Sequence, residues 1–402
     1  MDTVTRRKFL LASGVVGAGA LAAGAGTVTW MDLHRAAQAT PLEAGKGILV
    51  LLTMYGGNDG LNTVVPAADP VYQSSRPGLA YSESEVLDLG DGLGLNPAMT
   101  GMHQLWQDGK LAIVRGVGYP NPNFSHFVSM DIWQTASPTD PETSGWLGRW
   151  LDAQPDDELR ALRAVSLGGT LPPLLAGTET AGSSLPLGRF RLPKGELDTG
   201  LRALGETSAQ DCPNAAYAAR DTGDLFTVAA TFGPVLPAER TAKSGGALAQ
   251  QLDIVASCIE SAVPTQVYAV SLGGFDTHSA EKGTQSTLLG EVSEAITAFQ
   301  QRISASSRAQ DVVLVGYTEF GRRVAANANE GTDHGTAGPV FVVGDSVRAG
   351  FVGEQPSLTA LNQGDLQFTT DFRSVYATVL ADVLGADPAR ALGAGYPLLP
   401  LR

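Results

Sequence analysis

The sequence predicts an α/β fold with a doubly wound, mostly parallel sheet. Several short apolar runs lack the alternation of polar and apolar residues that marks a half-exposed strand, so we expect them to be strands buried on both faces. Between these runs lie stretches whose apolar residues recur at helical spacing. Strands that alternate with helices are typical of a parallel sheet covered by helices on both faces.

Five apolar runs are predicted to form the strands of this sheet. Each is short, and each is rich in β-branched or other large apolar residues, as buried strands are. They are residues 47–54 (GILVLLTM), 111–114 (LAIV), 266–272 (QVYAVSL), 311–317 (DVVLVGY) and 339–343 (PVFVV).

Three stretches predict helices that pack against the sheet. Residues 248–259 place apolar side chains three or four positions apart, which puts them on one helical face. Residues 288–303 and 372–384 have a similar spacing, and Asp371 is a suitable N-cap for the last of these helices.

Residues 138–245 differ in composition from the rest of the chain. They are rich in proline, glycine, leucine and threonine and contain few strong strand patterns. We therefore expect residues 40–402 to form a single α/β domain, in which residues 138–245 are an inserted cap or side subdomain.

The N-terminus has the parts of an export signal. Arg6 and Arg7 precede an apolar run diluted by glycine and alanine, and an A-x-A cleavage pattern ends at Ala39. Paired arginines before such a weakly apolar run indicate the twin-arginine route. We predict a signal peptide at residues 1–39, the twin-arginine translocase as a partner during export, and an extracytoplasmic location in the periplasm, at the cell surface or in the medium. An uncleaved anchor is the alternative, although so much glycine disfavours a permanent membrane helix.

The charge of the chain excludes some partners. The formal net charge is −14, and it becomes −16 when residues 1–39, with four basic and two acidic residues, are removed. Nucleic acids and anionic membranes are bound by basic surfaces, so neither is an expected partner. No apolar run after residue 39 is long enough to span a bilayer stably.

The two cysteines, Cys212 and Cys258, belong to no metal or redox motif. Outside the cytoplasm they are able to form a disulfide, and two buried thiols are the alternative. The loops after the predicted strands contain no G-x-S-x-G elbow, so an α/β-hydrolase triad is disfavoured. No P-loop or G-x-G-x-x-G motif opens a helix after the first strand.

Polar loops follow four of the five predicted strands. Ligands bind at the carboxyl ends of the strands in an open parallel sheet, so we expect these loops to converge on one edge. The segment 331–336 (GTDHGT) precedes the fifth strand and is expected to fold over the same place. Three of the four histidines after residue 39 lie in these five segments. The loops are 56–60 (GGNDG), 123–127 (NFSHF), 273–278 (GGFDTH) and 318–322 (TEFGR).

Each of these loops also has a purely structural interpretation. GGNDG suits a tight turn, because glycine and asparagine tolerate positive φ and aspartate forms Asx-turns. Asp276 and His278 are two positions apart, so an extended segment places them on one side, where they suit either a shared cation or a simple hydrogen bond. Glu319 suits an ion pair with Arg322 or Arg323.

The Asp333–His334 pair is the least typical of a simple turn, because glycines and threonines surround it with donors and acceptors. Considered together, the loops predict one polar site. Its expected members are Asp59, Asp276, His278, Glu319 and His334.

Several long strings in this chain resemble one exported bacterial family, the domain of unknown function 1501 (DUF1501). The resemblance spans nearly all of residues 40–402, and the pair TEFGR and GTDHG is its most specific part. The strings are LLTMYGGNDGLNTVVP, SHF at residues 125–127, GWLGRWLD at residues 145–152, GGFDTH, and YTEFGRRVAANANEGTDHGTAGPVFVVG. That family is similar to the alkaline-phosphatase-like superfamily, which includes sulfatases and cofactor-independent phosphoglycerate mutases.

The resemblance implies an alkaline-phosphatase-like fold and roles for individual residues. Asp59 matches a metal-binding acid after the first strand, and Ser125 matches the nucleophile after the second. Asp276 with His278 resembles the pair that binds one metal, and His334 the last histidine. Where the superfamily has an Asp-His pair for a second metal, this chain has Glu319 followed by phenylalanine. The resemblance thus implies one cation site, while a second metal site lacks its histidine.

The sequence therefore predicts an extracytoplasmic, metal-dependent hydrolase of phosphate or sulfate esters. A divalent cation (zinc, magnesium, calcium or manganese) would activate the Ser125 hydroxyl and stabilise charge on the ester oxygens. His126 or Arg322 would stabilise the transferred group. The expected substrate is an anionic ester, either a small molecule or an envelope polymer. The candidate metal ligands are Asp59, Asp276, His278, Glu319, Asp333 and His334.

The alternative is a catalytically degenerate relative. Such a protein would keep the fold and one cation site and act as a binding or assembly protein of the cell envelope.

Overall fold

The computed structural model describes residues 40–140, 142–157, 159–187 and 246–402. The predicted signal peptide at residues 1–39 lies outside the described residues. So do residues 188–245 of the predicted insertion, together with Cys212.

The described residues form twelve strands, which are numbered here in chain order. Most are short, and the longest are the apolar runs identified in the sequence. They are β1 (Ile48–Met54), β2 (Val64–Val65), β3 (Leu87–Gly90), β4 (Leu93–Leu95), β5 (Leu111–Gly118), β6 (Ala164–Leu167), β7 (Ser183–Leu185), β8 (Val267–Leu272), β9 (Val312–Tyr317), β10 (Gly338–Val343), β11 (Gly350–Val352) and β12 (Thr370–Asp371).

Nine of these strands form one sheet in the order β11-β5-β10-β9-β1-β8-β6-β7, with β12 also paired to β5. Every pairing in this sheet is parallel except those of β10, which runs antiparallel to β5 and to β9. Strands β1, β5, β8 and β9 therefore point in the same direction and end at the same edge. The remaining three strands, β2, β3 and β4, form a small antiparallel sheet.

Helices cover both faces of the large sheet. They are α1 (Pro70–Ser75), α2 (Thr100–Gln107), α3 (His126–Thr135), α4 (Trp146–Asp152), α5 (Gly246–Glu260), α6 (Glu281–Ser304), α7 (Phe372–Thr378) and α8 (Pro388–Leu392). One hydrophobic core lies between the sheet and α2, α5 and α6, and a second lies between the other face and α3, α4, α7 and α8. The predicted doubly wound, mostly parallel α/β sheet is confirmed.

The first core contains the alternate residues Val50, Leu52 and Met54 of β1, and the second contains Leu49 and Leu51. Both faces of this strand are thus apolar, which explains why its sequence shows no alternation.

The structure differs from the sequence prediction in the region predicted as an insertion. Within residues 138–187, strands β6 and β7 join the main sheet beside β8 in parallel pairing, and α4 packs into the second core. These strands contain only four and three residues, too few to show a pattern in the sequence. This part of the chain therefore belongs to the central domain.

Two further differences concern the ends of elements. Strand β5 continues four residues beyond the predicted 111–114, to Gly118. The predicted helix 372–384 is divided into α7 and a π-helical turn, Val379–Val383.

No helix in the described ranges is long and apolar enough to cross a membrane. Cys258 is a free thiol buried in α5, and burial raises its pKa to about 12.

Candidate metal centre

The carboxyl edge of the sheet brings the polar loops together. Because β1, β5, β8 and β9 are mutually parallel, the loops that follow them meet at this edge. The loops after β1 and β8 approach each other closely at Gly56, where φ is +118°. A Cβ atom at this position would lie 2.5 Å from the backbone nitrogen of Asp276, so only glycine fits.

Helix α3 presents His126 from its first residue. The helix is fixed to the sheet by Trp133, whose ring stacks on that of Tyr317 with centroids 5.0 Å apart. Nearer the site, the Ser129 hydroxyl donates to the backbone carbonyl of Glu319 at 2.6 Å. These contacts hold the start of α3 beside the end of β9.

His334 reaches the site through an irregular hairpin between β9 and β10. The Gly321 amide donates to the Thr336 carbonyl at 2.7 Å, and the Gly335 amide donates to the Gly321 carbonyl at 2.9 Å. A Cβ atom at Gly335 would lie 2.4 Å from the carbonyl carbon of Arg322, so this close pairing also requires glycine. The antiparallel direction of β10 is what brings residues 331–336 to the edge where β9 ends.

Three imidazoles and one carboxylate converge at this edge. Asp276 Oδ1 lies 3.0 Å from His278 Nε2, 3.2 Å from His334 Nε2 and 3.3 Å from His126 Nε2. The Nε2 atoms of His278 and His334 are 3.0 Å apart. Ligand atoms of His126, Asp276 and His334 all lie within 4.8 Å of one another, close enough to hold one cation.

The other nitrogen of each imidazole faces a hydrogen-bond acceptor. His126 Nδ1 lies 2.8 Å from Glu319 Oε1, His278 Nδ1 lies 3.2 Å from Asp333 Oδ1, and His334 Nδ1 lies 2.6 Å from the carbonyl of Phe124. Since carboxylates and carbonyls only accept, these partners assign the proton of each neutral ring to Nδ1. The Nε2 lone pairs are then directed at one another and at Asp276.

This donor set fits a metal ion. Three Nε2 lone pairs that each lie 3.0–3.3 Å from one carboxylate oxygen are repelled by it unless a cation or protons lie among them. A metal-binding histidine commonly donates its other N–H to a carboxylate or a backbone carbonyl, as all three rings do here. His126, Asp276, His278 and His334 would hold the ion.

Arg322 lies beneath the site and holds Asp276 in place. Its buried guanidinium donates to Asp276 Oδ1 at 2.7 Å. The remaining donors bond to the backbone carbonyls of Gly56, Gly57, Phe275 and Thr332. Burial alone would raise the pKa of Asp276, but the hydrogen bond from Arg322 and the charge of its guanidinium lower it to about 2. Asp276 is therefore an anion at neutral pH.

Glu319 and Asp333 lie behind the histidines. Glu319 is buried, and besides His126 its carboxylate accepts from the Gly56 amide at 2.9 Å and from the Thr318 hydroxyl at 3.0 Å. Asp333 is exposed, and Asn327 Nδ2 donates to it at 3.3 Å. Both acids were predicted as metal ligands, and the structure places their carboxylates on the Nδ1 side of the rings.

Asp59 is placed away from the imidazoles. Its buried carboxylate forms an ion pair with the buried guanidinium of Arg76 and accepts from the Leu61 amide at 3.2 Å. It thereby caps the short 3₁₀ turn Gly60–Asn62. These contacts agree with the structural interpretation of the GGNDG loop, in which Asp59 stabilises a turn and does not bind a metal.

Ser125 lies at the rim of the centre. It is exposed, immediately precedes α3, and does not cap the helix with its hydroxyl. Its amide donates to Asn123 Oδ1 at 2.8 Å. Both neighbours in sequence belong to the site, since Phe124 accepts from His334 and His126 faces Asp276.

A cleft of 410 Å³ opens beside the imidazoles. Apolar and aromatic side chains dominate its walls, and three acids contribute to them. Its lining residues are Tyr55, Gly56, His126, Phe127, Met130, Asp131, Gln134, Pro173, Asp276 and Glu319. Phe127, which is 90% exposed, stands at its mouth.

The model of a family described as "protein of unknown function (DUF1501)" matches residues 250–393. The resemblance to DUF1501 is thereby confirmed for residues 250–393, and its predicted extent over the rest of residues 40–402 stays a prediction. The matched segment includes both GGFDTH and TEFGR…GTDHG, and with them three of the four residues that would hold the ion. No curated protein sequence is significantly similar to this chain.

Solved structures that resemble this fold include a protein described as a member of the alkaline phosphatase superfamily. A member of that superfamily from Vibrio parahaemolyticus has 11% sequence identity, with 91% of this chain and 78% of that chain covered and a TM-score of 0.41. The lipoteichoic acid synthase LtaP from Listeria monocytogenes has 9% identity, with 89% and 78% covered and a TM-score of 0.37. Ps i-CgsB in complex with k-i-k-neocarrahexaose has 11% identity, with 87% and 73% covered and a TM-score of 0.38. Similarities this distant do not bear on activity.

Proposed function

We propose that this protein is an extracytoplasmic, metal-dependent hydrolase of phosphate or sulfate esters. The observation that carries the proposal is the convergence of three imidazole Nε2 atoms on Asp276, with each Nδ1 atom bonded to an acceptor. The rings of His126 and His334 pack against Phe320, but packing alone does not require three Nε2 atoms to face one carboxylate oxygen, whereas a bound cation does.

Each residue of the centre would have a separate role in the reaction. A divalent cation held by these residues would supply a Lewis acid that stabilises the charge on the ester oxygens. Glu319 and Asp333 keep the rings of His126 and His278 in the required orientation, and Arg322 keeps Asp276 ionised and in place. Ser125 is the candidate nucleophile, because it is exposed, adjoins His126 and leaves its hydroxyl free of the helix cap.

The ligand chemistry favours zinc among the four ions considered. Imidazole nitrogen is a borderline-soft ligand that suits zinc, whereas magnesium, calcium and manganese prefer oxygen ligands. Three nitrogens and one carboxylate oxygen are ligands that zinc commonly takes, and zinc expands to five-coordinate in some catalytic sites, so a position would remain for an ester oxygen.

The alternative, a cation-dependent binding protein of the envelope, is favoured by one observation. The cleft lining contains no lysine or arginine but includes Asp131, Asp276 and Glu319. The donors of the nearby Arg322 are directed to Asp276 and to backbone carbonyls. A phosphate or sulfate group in this cleft would therefore depend on the cation for neutralisation.

Metal content and ester hydrolysis test the proposal together. Purified protein is expected to contain about one equivalent of metal, and to hydrolyse p-nitrophenyl phosphate or p-nitrophenyl sulfate when zinc is supplied. His278→Ala should lose the metal and the activity. The matched control is His103→Ala, because His103 is outside the centre and contacts the carbonyl of Asp88.

A further variant distinguishes the two proposed functions, a hydrolase and a binding protein. Ser125→Ala should retain the metal and lose turnover. A metal-loaded parent that hydrolyses neither ester class establishes the binding protein. A parent without metal, and with a melting temperature indifferent to chelator, rejects both functions.

A further inference from the structure

A second cavity lies next to the candidate metal centre, on the sheet face that carries α3 and α4. It has a volume of 360 Å³ and lies under the loop from β6 to the 3₁₀ turn Pro173–Leu175. A volume of this size falls within the range of about 300–1,000 Å³ that is usual for small-molecule sites.

The cavity exists because the sheet carries small side chains there. Along this face β1 changes from Leu49 and Leu51 to Thr53, and β8 changes from Val267 to Ala269 and Ser271. On the neighbouring strand β6, Ser166 pairs with Ala269. Leucine or valine would fill the space and stabilise the core, so leaving it open costs stability. A space kept open at such a cost is typical of a binding site.

The chemistry of the walls is uncharged and rich in hydroxyl groups. Among the lining residues there is no Asp, Glu, Lys, Arg or His. The polar groups are four aliphatic hydroxyls, one phenol and one amide, and the rest of the surface is apolar. The polar lining residues are Thr53, Tyr55, Gln134, Ser166, Thr170 and Ser271.

These walls select among ligand classes. Charged groups would lose their hydration without meeting an opposite charge. A purely aliphatic chain would leave the hydroxyl groups of the walls without partners. A neutral molecule with many hydroxyl groups satisfies both conditions, since each of its hydroxyls both donates and accepts.

The cavity adjoins the metal-side cleft. Tyr55, Gln134 and Pro173 line both spaces. Gln134 Nε2 and the Tyr55 hydroxyl are 3.4 Å apart, and together they form the partition between the spaces. A molecule that displaces this long contact would place an ester at the imidazoles and a neutral group in the second cavity.

We propose that this second cavity binds a sugar unit, so that the substrate is a phosphate or sulfate ester of a carbohydrate. The assignment of the ester rests on the proposed function, whereas the assignment of the sugar rests on the cavity alone.

Filling the cavity tests the proposal. Ala269→Leu should raise the KM for glucose 6-phosphate or galactose 6-sulfate about tenfold, while kcat/KM for the p-nitrophenyl esters changes by less than about twofold. Ala68→Leu makes the same change at an exposed position and serves as the matched control. Ser271→Leu, at a half-buried position, replaces Ala269→Leu if that variant does not fold.

Calorimetric titration with neutral disaccharides (maltose, cellobiose, lactose and N,N′-diacetylchitobiose) gives a readout independent of hydrolysis. Binding to the parent and to Ala68→Leu, with loss in the cavity-filled variant, supports the proposal even where no ester is hydrolysed. In that case the proposed hydrolase function is rejected and the sugar site is kept. The proposal is overturned if no disaccharide or sugar ester binds, or if filling the cavity changes neither KM nor affinity.

Discussion

Three hydrogen bonds to imidazole Nδ1 atoms set the chemistry of the candidate metal centre. They differ in their surroundings, because the Glu319 carboxylate that faces His126 is buried while the Asp333 carboxylate that faces His278 is exposed. A buried, charge-assisted hydrogen bond is stronger than an exposed one, since water competes less and the local dielectric is lower. The two acids therefore should not contribute equally to cation affinity.

We expect Glu319→Gln to weaken cation affinity by roughly 10–100-fold, the range found for partners of metal-binding histidines. The reason is that an amide holds the Nδ1–H of His126 less firmly than a carboxylate does. Asp333→Asn should weaken affinity less, because the pair with His278 is exposed. Titration with zinc against a competing chelating dye measures both. Equal affinities in Glu319→Gln and the parent would show that His126 is not a ligand.

At this scale, part of the site could be predicted from the sequence. The spacing of Asp276 and His278 and their position after a strand were sufficient to bring them together. The interpretation of Glu319 and Asp333 as ligands rested on residue type, which does not distinguish an acid that binds a cation from one that orients a histidine. Asp59 could not be separated from the site, because its partner Arg76 lies 17 positions away in no recognisable pattern.

The elements next to the site are joined by a buried cluster of charged groups at the start of α6. Glu281 opens this helix and lies beside the Asp59–Arg76 ion pair. Its Oε2 accepts from the Thr332 hydroxyl at 2.6 Å, which links α6 to the segment that carries His334. Burial and the negative charge of Asp59 raise the pKa of Glu281 to about 9, from an ordinary value of 4.5. Asp59 stays ionised, because the charge of Arg76 outweighs the effect of burial and lowers its pKa.

The raised pKa predicts a loss of stability at alkaline pH. The folded state binds the proton of Glu281 more tightly than the unfolded state, so its contribution is complete below about pH 4.5 and is lost as the pH rises through about 9. Glu281→Gln imitates the protonated acid and removes this dependence. Between pH 6 and pH 9 its melting temperature should therefore fall less than that of the parent.

The control for this prediction is Glu294→Gln, an exposed position on the same helix, which should follow the parent at every pH. If the melting temperatures of Glu281→Gln and the parent fell equally between pH 6 and pH 9, Glu281 would have to be ionised in the folded protein throughout this range.

Whether an element could be predicted depended on its length. The long apolar runs of β1, β8 and β9 could be predicted because a strand buried on both faces needs consecutive apolar residues, and such runs are visible in the sequence. Strands β6 and β7 were missed because strands this short are defined by their pairing, of β6 with β8 and of β7 with β6, which is a property of the assembled sheet.

At the scale of the whole molecule, the centre exists only when the sheet is complete. Its four ring and carboxylate groups come from the start of α3, the loop after β8 and the β9–β10 hairpin, across 208 positions from His126 to His334. An unfolded chain does not hold these groups together, so cation binding and folding are coupled. A protein exported unfolded would have to acquire its cation outside, whereas the twin-arginine route carries folded proteins and allows loading inside.

If both Arg6 and Arg7 are changed to Lys, we therefore expect the protein to stay in the cytoplasm, folded and metal-loaded. The reason is that lysine does not reproduce the planar guanidinium groups of the pair. Cell fractionation with metal analysis of the retained pool measures both properties. Arg35→Lys makes the same change in the same segment outside the pair, and its export should match that of the parent. Unchanged export of the double variant would contradict the twin-arginine route. Retention of a metal-free protein would leave the route intact and show that the cation is acquired after export.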